Sequence, residues 1–152
     1  MRRFTRMIGR MGEVKVEVVL ENAVDRGLQL RGMLEPEMVR AFKASVLVDS
    51  GAMTLVLPQE QVEALGLEEI RKVIVRYADE RKEERPIACA VTIRVGDRAA
   101  TLDCVVGPPN SEPLLGQVPL EVMDLLVDCV EQKLVPRPES PFLPLIKLKG
   151  TS

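Results

Sequence analysis

A small, mostly β domain, closed or barrel-like and carrying one or two short helices, is predicted by three features of the sequence. Apolar and polar residues alternate with a period of two in stretch after stretch, the mark of half-buried strands. The stretches are short and are separated by turns rich in glycine, proline and charge. No repeat and no linker divides the chain into two cores, so many short strands and few helices share one domain. A chain of 152 residues with 46% hydrophobic side chains has enough apolar surface for a core without disulfides or metal. Aromatics are 3% and Trp is absent, so that core is built of Val, Leu, Ile, Met and Ala.

The elements follow in order. Val14, Val16, Val18 and Leu20 alternate with Glu13, Lys15 and Glu17 as a first strand. Glu21-Asn22 to Asp25-Arg26-Gly27 reads as a turn, with Leu28 and Leu30 on a return strand. After Glu35-Pro36-Glu37, residues 39–48 read as an extended run ending in Val46-Leu47-Val48, which suits a strand buried on both faces. Asp49-Ser50-Gly51-Ala52 is a turn, and Thr54 to Leu57 a short strand. Pro58 opens a helix that Gly66 closes. Residues 70–77 form a strand, and the charged stretch Ala78 to Arg85 an exposed hairpin tip.

A clear hairpin comes next. Ile87, Cys89, Val91, Ile93 and Val95 share one face, Gly96-Asp97 turns the chain, and Ala100, Leu102, Cys104 and Val106 answer on the partner strand. Leu114-Leu115-Gly116 is a short buried strand with a glycine stop. Pro119 begins a second helix, Leu120 to Leu125. Val127 to Val130 and Leu134-Val135 form a last strand pair, and Leu145 to Leu148 could add an edge strand. Three regions result: a basic tail at 1–12, a domain at 13–136 and a Pro-rich tail at 137–152.

Composition narrows the chemistry. A net charge of −2 predicts no general affinity for nucleic acid, although Arg2, Arg3, Arg6 and Arg10 make the start of the chain basic. No run is apolar enough to span a membrane, and a cytoplasmic location is the default. Cys89, Cys104 and Cys129 are unpatterned and fall on apolar strand faces, which favours buried, reduced thiols. Histidine is absent, which removes His-based zinc sites and Ser-His-Asp triads. No metal or cofactor is expected. Acid–base chemistry is left to carboxylates, lysines, cysteines or Tyr77. Lys72 and Tyr77 fall on opposite strand faces, and Asp103 and Asp128 read as polar-face strand residues.

The Asp-Ser-Gly tripeptide alone is weak, because such residues also make an Asx-turn at a strand end. Its placement sharpens it: a buried strand runs into Asp49, and about 60 residues later comes Leu114-Leu115-Gly116, with a polar-tipped hairpin between them. On these residues the chain resembles the retropepsin-like aspartic proteases, especially short bacterial members. The matching segments are Val46 to Ala52, Leu55 to Pro58, Glu112 to Gly116 and Pro119 to Glu121.

The resemblance implies a homodimeric endopeptidase with a closed acid-protease barrel. Two carboxylates a few Å apart cannot both ionise, so they share a proton and supply both base and acid. With one Asp-Ser-Gly per chain, the second carboxylate must come from another copy. Asp49 is then catalytic, with Ser50 bonding across the axis and Gly51 and Ala52 completing the turn. Tyr77, Ala78 and Asp79 belong to the substrate-covering flap, and Leu114, Leu115 and Gly116 back the turn, with Leu115 in the core. The substrate is a peptide or protein. Two features depart from the retroviral pattern: the flap tip is charged instead of glycine-rich, and Gln117-Val118 stand where an Arg follows the late glycine. Two other readings remain open: a non-catalytic peptide-binding or dimerisation module of the same fold, and an unrelated small β-barrel module.

Overall fold

The computed structural model describes residues 13–149, so the basic residues at 1–12 and the last three residues lie outside the described part. Nine strands, three α-helices and one 3-10 turn lie within it. The fold is mostly β. The strands are β1 (Val14–Asn22), β2 (Ala41–Val48), β3 (Leu55–Pro58), β4 (Glu68–Arg76), β5 (Lys82–Val95), β6 (Arg98–Gly107), β7 (Leu114–Leu115), β8 (Leu125–Asp128) and β9 (Lys133–Pro136). The helices are α1 (Ala23–Leu30), α2 (Gln59–Leu65) and α3 (Gln117–Met123).

Seven strands form one sheet in the order β1-β2-β7-β3-β6-β5-β4, and β8 pairs with β9 separately. β1 also pairs with β5, Val19 opposite Arg94 through Asn22 opposite Val91, so β1 is bonded on both sides at its end. The alternation read in the sequence is the burial pattern of the strands: Val14, Val18 and Leu20 of β1, and Val91 and Ile93 of β5, point into the core. Leu55, Leu57, Leu65, Leu115 and Met123 are also part of that core, which is mostly aliphatic, with Cys104 in it and Phe42 packed against it.

One element differs from the sequence reading. Residues 23–30 are a helix, not a turn and return strand. Asn22 caps it, its side-chain oxygen accepting the Asp25 N–H at 2.9 Å, which satisfies one of the orphan donors of the first turn. Asp25 is buried and binds the Arg40 guanidinium at 2.8 and 2.9 Å and the Arg40 N–H at 3.0 Å. These bonds hold the Asp25 carboxyl below its usual range, the Arg40 side chain being the main cause. Polar residues that suggest a turn are thus a helix start, and two leucines two apart are too short a pattern to separate the periods.

Smaller corrections follow from local hydrogen bonding. Helix α3 begins at Gln117, so Pro119 is its third residue, not its first. Strand pairing on the long hairpin runs down to Lys82, so the exposed tip is confined to residues 77–81. Asp128 ends β8 by accepting the N–H groups of Val130 and Glu131 at 3.1 and 3.0 Å, which puts Cys129 in an exposed turn. Cys104 is buried and Cys89 half-buried. Leu145 to Leu148 form no strand. No described helix is long and apolar enough to cross a membrane.

Candidate active site

The Asp49 turn is built by two strand pairings and by backbone bonds from α3. Strand β7 lies between β2 and β3, parallel to the first (Leu47 opposite Leu114, Val48 opposite Leu115) and antiparallel to the second (Leu55 opposite Leu115). The chain must therefore leave β2, pass around the end of β7 and enter β3 within residues 49–54. Asp49 N–H donates to the Leu115 carbonyl at 2.9 Å, and the Ala52 N–H closes the turn on the Asp49 carbonyl at 3.0 Å. From below, the first amides of α3 hold the turn: Gln117 N–H donates to Ala52 O at 2.9 Å and Val118 N–H to Met53 O at 2.8 Å.

Gly116 makes this closeness possible. A Cβ there would overlap the Thr54 carbonyl oxygen and lie 2.5 Å from Ala52 O and 2.7 Å from Thr54 N. Leu115 beside it is fully buried, as the sequence predicts. Leu114 is half-buried. Truncating Leu115 to Ala is expected to cost about 2–5 kcal/mol, because the cavity would open between three strands that cannot collapse onto it. Urea unfolding of the variant checks this.

The Asp49 side chain is half-exposed, and its Oδ1 accepts the Gly51 N–H at 2.9 Å. This is the Asx-turn that a purely structural reading expects. Among the described residues Oδ2 has no hydrogen bond, so one carboxylate oxygen is uncommitted. Ser50 and Gly51 are exposed and Ala52 is half-buried. The turn thus sets Asp49, Ser50, Gly51 and Ala52 at the protomer surface and Leu114, Leu115 and Gly116 directly behind them.

Tyr77, Ala78 and Asp79 form the tip of the β4–β5 hairpin, which is tied to itself. Tyr77 N–H donates to Arg81 O at 2.8 Å, and Arg81 N–H to the Asp79 side chain at 3.1 Å. The Arg81 guanidinium stacks 4.5 Å from the centre of the Tyr77 ring. Below the tip, Arg85 donates to Glu83 at 3.1 Å and to Val106 O at 2.8 Å. No hydrogen bond or ion pair among the described residues joins this tip to the Asp49 turn.

Other chemistry is scarce. Burial pushes the Cys104 thiol up to about 12, with the nearby Asp103 charge adding to it, so it is an inert core group. Among the described residues no group of three His, Cys, Asp or Glu side chains could hold a metal ion. Sequence reasoning missed a second carboxylate centre at Asp124, which is buried with Arg98, Arg137 and Ser140 around it. Its residues are scattered over the chain, and no spacing links them.

An apolar strand thus runs into Asp49-Ser50-Gly51 at a surface turn, with the buried Leu115 behind it. The model of the aspartyl protease family matches residues 41–118, from the start of β2 into α3. The chain belongs to the aspartyl protease family. Among solved structures, it is similar to a retropepsin-like aspartic protease from Rickettsia conorii, with 19% identity, a TM-score of 0.46 and coverage of 78% of this chain and 79% of that one. A Legionella pneumophila protein of unknown function matches 53% of this chain and 76% of its own, with 18% identity and a TM-score of 0.33. No curated protein matches the chain.

Proposed function

We propose that the protein is an aspartic endopeptidase that acts as a homodimer, with Asp49 of each copy forming the catalytic pair. The observation that carries this reading is the Asp49 turn itself. One carboxylate oxygen is bonded within the turn and the other is uncommitted, and the turn is held by backbone bonds from β7 and α3. The family match spans this whole construction. A lone carboxylate cannot supply both the base and the acid that peptide hydrolysis needs. Two across a twofold axis share one proton, the ionised member taking a proton from the attacking water and the protonated one serving the leaving amine. The pair titrates as a unit.

The remaining roles follow. Ser50 bonds across the axis, and Gly51 and Ala52 shape the turn. Tyr77, Ala78 and Asp79 cover an extended peptide through the hairpin backbone. Leu114, Leu115 and Gly116 hold the turn in register. The additional β1–β5 pairing supports a barrel that closes on itself. The apolar segment from Phe142 to Leu148, largely exposed on the single protomer, supports a dimer interface at the C-terminus.

Dilution tests the reading. Cleavage of a peptide library is expected at acidic to neutral pH, with a rate that rises as the square of protein concentration below the dimer dissociation constant. A rate that stays proportional to concentration through the range in which sedimentation shows the dimer dissociating rejects a shared site, and a stable dimer with no turnover points to a non-catalytic module.

A further inference from the structure

Strand β5 pairs with β6 from Val95 to Ile87 and beyond that only with β4, so the hairpin leaves the sheet at Pro86. In the register that sets Ile87 opposite Val105, Pro86 falls opposite Val106 and has no N–H to offer it. The Arg85 side chain supplies a donor there, its Nε donating to Val106 O at 2.8 Å. The same guanidinium donates to Glu83 Oε1 at 3.1 Å, and the Tyr77 hydroxyl reaches that oxygen at 3.4 Å. Tyr77, Glu83 and Arg85 are half-buried, whereas Arg76, Lys82 and Glu84 beside them are exposed, which puts the three on the inner face of the hairpin. Other ion pairs of the hairpin are looser. Lys72–Glu84 and Arg76–Glu80 are each 3.8 Å apart, with side chains at least 64% exposed, and pairs of that kind contribute little. The Arg85 side chain is 18% exposed. Val106, its anchor, lies opposite Leu57 of β3, the strand that leaves the Asp49 turn. One side chain thus ties the projecting hairpin to the sheet that carries Asp49.

We propose that Arg85 is a positioning residue: it fixes the hairpin to β6 where the backbone ladder stops and, through Glu83, sets Tyr77 for covering a peptide bound at Asp49. This rests on the endopeptidase reading above, with the hairpin as its flap. Two strands projecting from a sheet have little to hold their direction. Without the Arg85 bonds the hairpin pivots at Pro86, and the binding energy of the peptide must supply the ordering. The loss falls on peptide binding more than on the chemical step, because β7 and α3 hold the Asp49 turn independently of the hairpin.

The test uses Arg85→Gln in the full-length chain, since glutamine removes the charge and the forked donor and leaves a polar side chain in the strand. Exchange of the Tyr77 amide, which is bonded to Arg81 O, is expected to accelerate by about tenfold. For a peptide that the wild type cleaves, KM is expected to rise by about tenfold while kcat stays within about twofold. Glu83→Ala removes the middle group and leaves the Arg85 bond to Val106 O. It is expected to shift exchange and KM in the same direction and to add nothing in the Arg85→Gln background. Lys72→Gln breaks the exposed outer pair and is expected to change none of these readings. Unchanged exchange at Tyr77, unchanged KM, or additive effects in the double variant overturns the proposal. So does a fall in kcat at constant KM, the mark of a smaller folded fraction. A wild-type chain that cleaves no peptide overturns the endopeptidase reading and the covering role with it, while exchange at Tyr77 still separates a working anchor from none. If Arg85→Gln does not fold, Glu83→Ala carries the test by the same exchange and KM criteria.

Discussion

Replacing Asp49 with asparagine is expected to remove peptide hydrolysis and leave the protomer intact. The asparagine oxygen still accepts the Gly51 N–H that Asp49 Oδ1 accepts at 2.9 Å, so the turn keeps its internal bond. The side chain is half-exposed, and its loss of charge leaves no buried partner unpaired. A change of this kind shifts stability by no more than about 0.5 kcal/mol. Chemistry suffers differently, because an amide neither takes a proton from water nor returns one to the leaving amine. With both copies altered, the fall in kcat/KM is expected to be on the order of 10⁴-fold.

Mixing gives a sharper version of the same experiment. If each site draws one Asp49 from each copy, a mixed dimer is inactive, and equal amounts of wild type and Asp49→Asn, after subunits exchange at random, show about a quarter of the activity of wild type at the same total protein concentration. Half of that reference activity or more means that a single Asp49 suffices, and the shared-carboxylate mechanism is then abandoned. Thermal unfolding of the variant checks that the fold is untouched.

What the sequence revealed of this site and what it hid have a common physical cause. Strand periodicity is local, so β1, β6 and β5 from Ile87 onward were legible from alternation, and the run into Asp49 from its continuous apolar stretch. The two residues of β7 were also legible, because Leu114-Leu115 between proline and glycine has few alternatives to a buried strand. Helix α1 was not. Its start is written in Asn22 and Asp25, residues that also make turns, and the deciding contact is with Arg40, fifteen positions on. Asp124 was invisible for the same reason carried further: its partners at Arg98, Arg137 and Ser140 meet only once the sheet has folded. Ion-pair centres made of distant residues leave no period and no spacing, whereas a catalytic turn compressed into Asp49-Ser50-Gly51 does.

Gly116→Ala is expected to damage both the fold and the site. The residue sits at φ −93°, ψ −169°, ordinary extended backbone, so conformational freedom is not what requires glycine. Space is. The added methyl would overlap the Thr54 carbonyl oxygen and approach Ala52 O to 2.5 Å and Thr54 N to 2.7 Å. All three are backbone atoms of the Asp49 loop, and none swings aside as a flexible side chain would. Relief requires α3 and β7 to separate from the loop, which strains the bonds from Gln117 N–H to Ala52 O and from Val118 N–H to Met53 O. Overpacking of this sort costs about 1–3 kcal/mol, and rigid backbone neighbours put this site at or above the upper end. Gly27→Ala is the control: it lies inside α1, where an added methyl would meet nothing within 4 Å, and it is expected to stabilise by about 0.5–1 kcal/mol. If Gly116→Ala unfolds at the wild-type urea midpoint and cleaves peptides at the wild-type rate, the close packing of the loop against Gly116 is not what holds Asp49 in place.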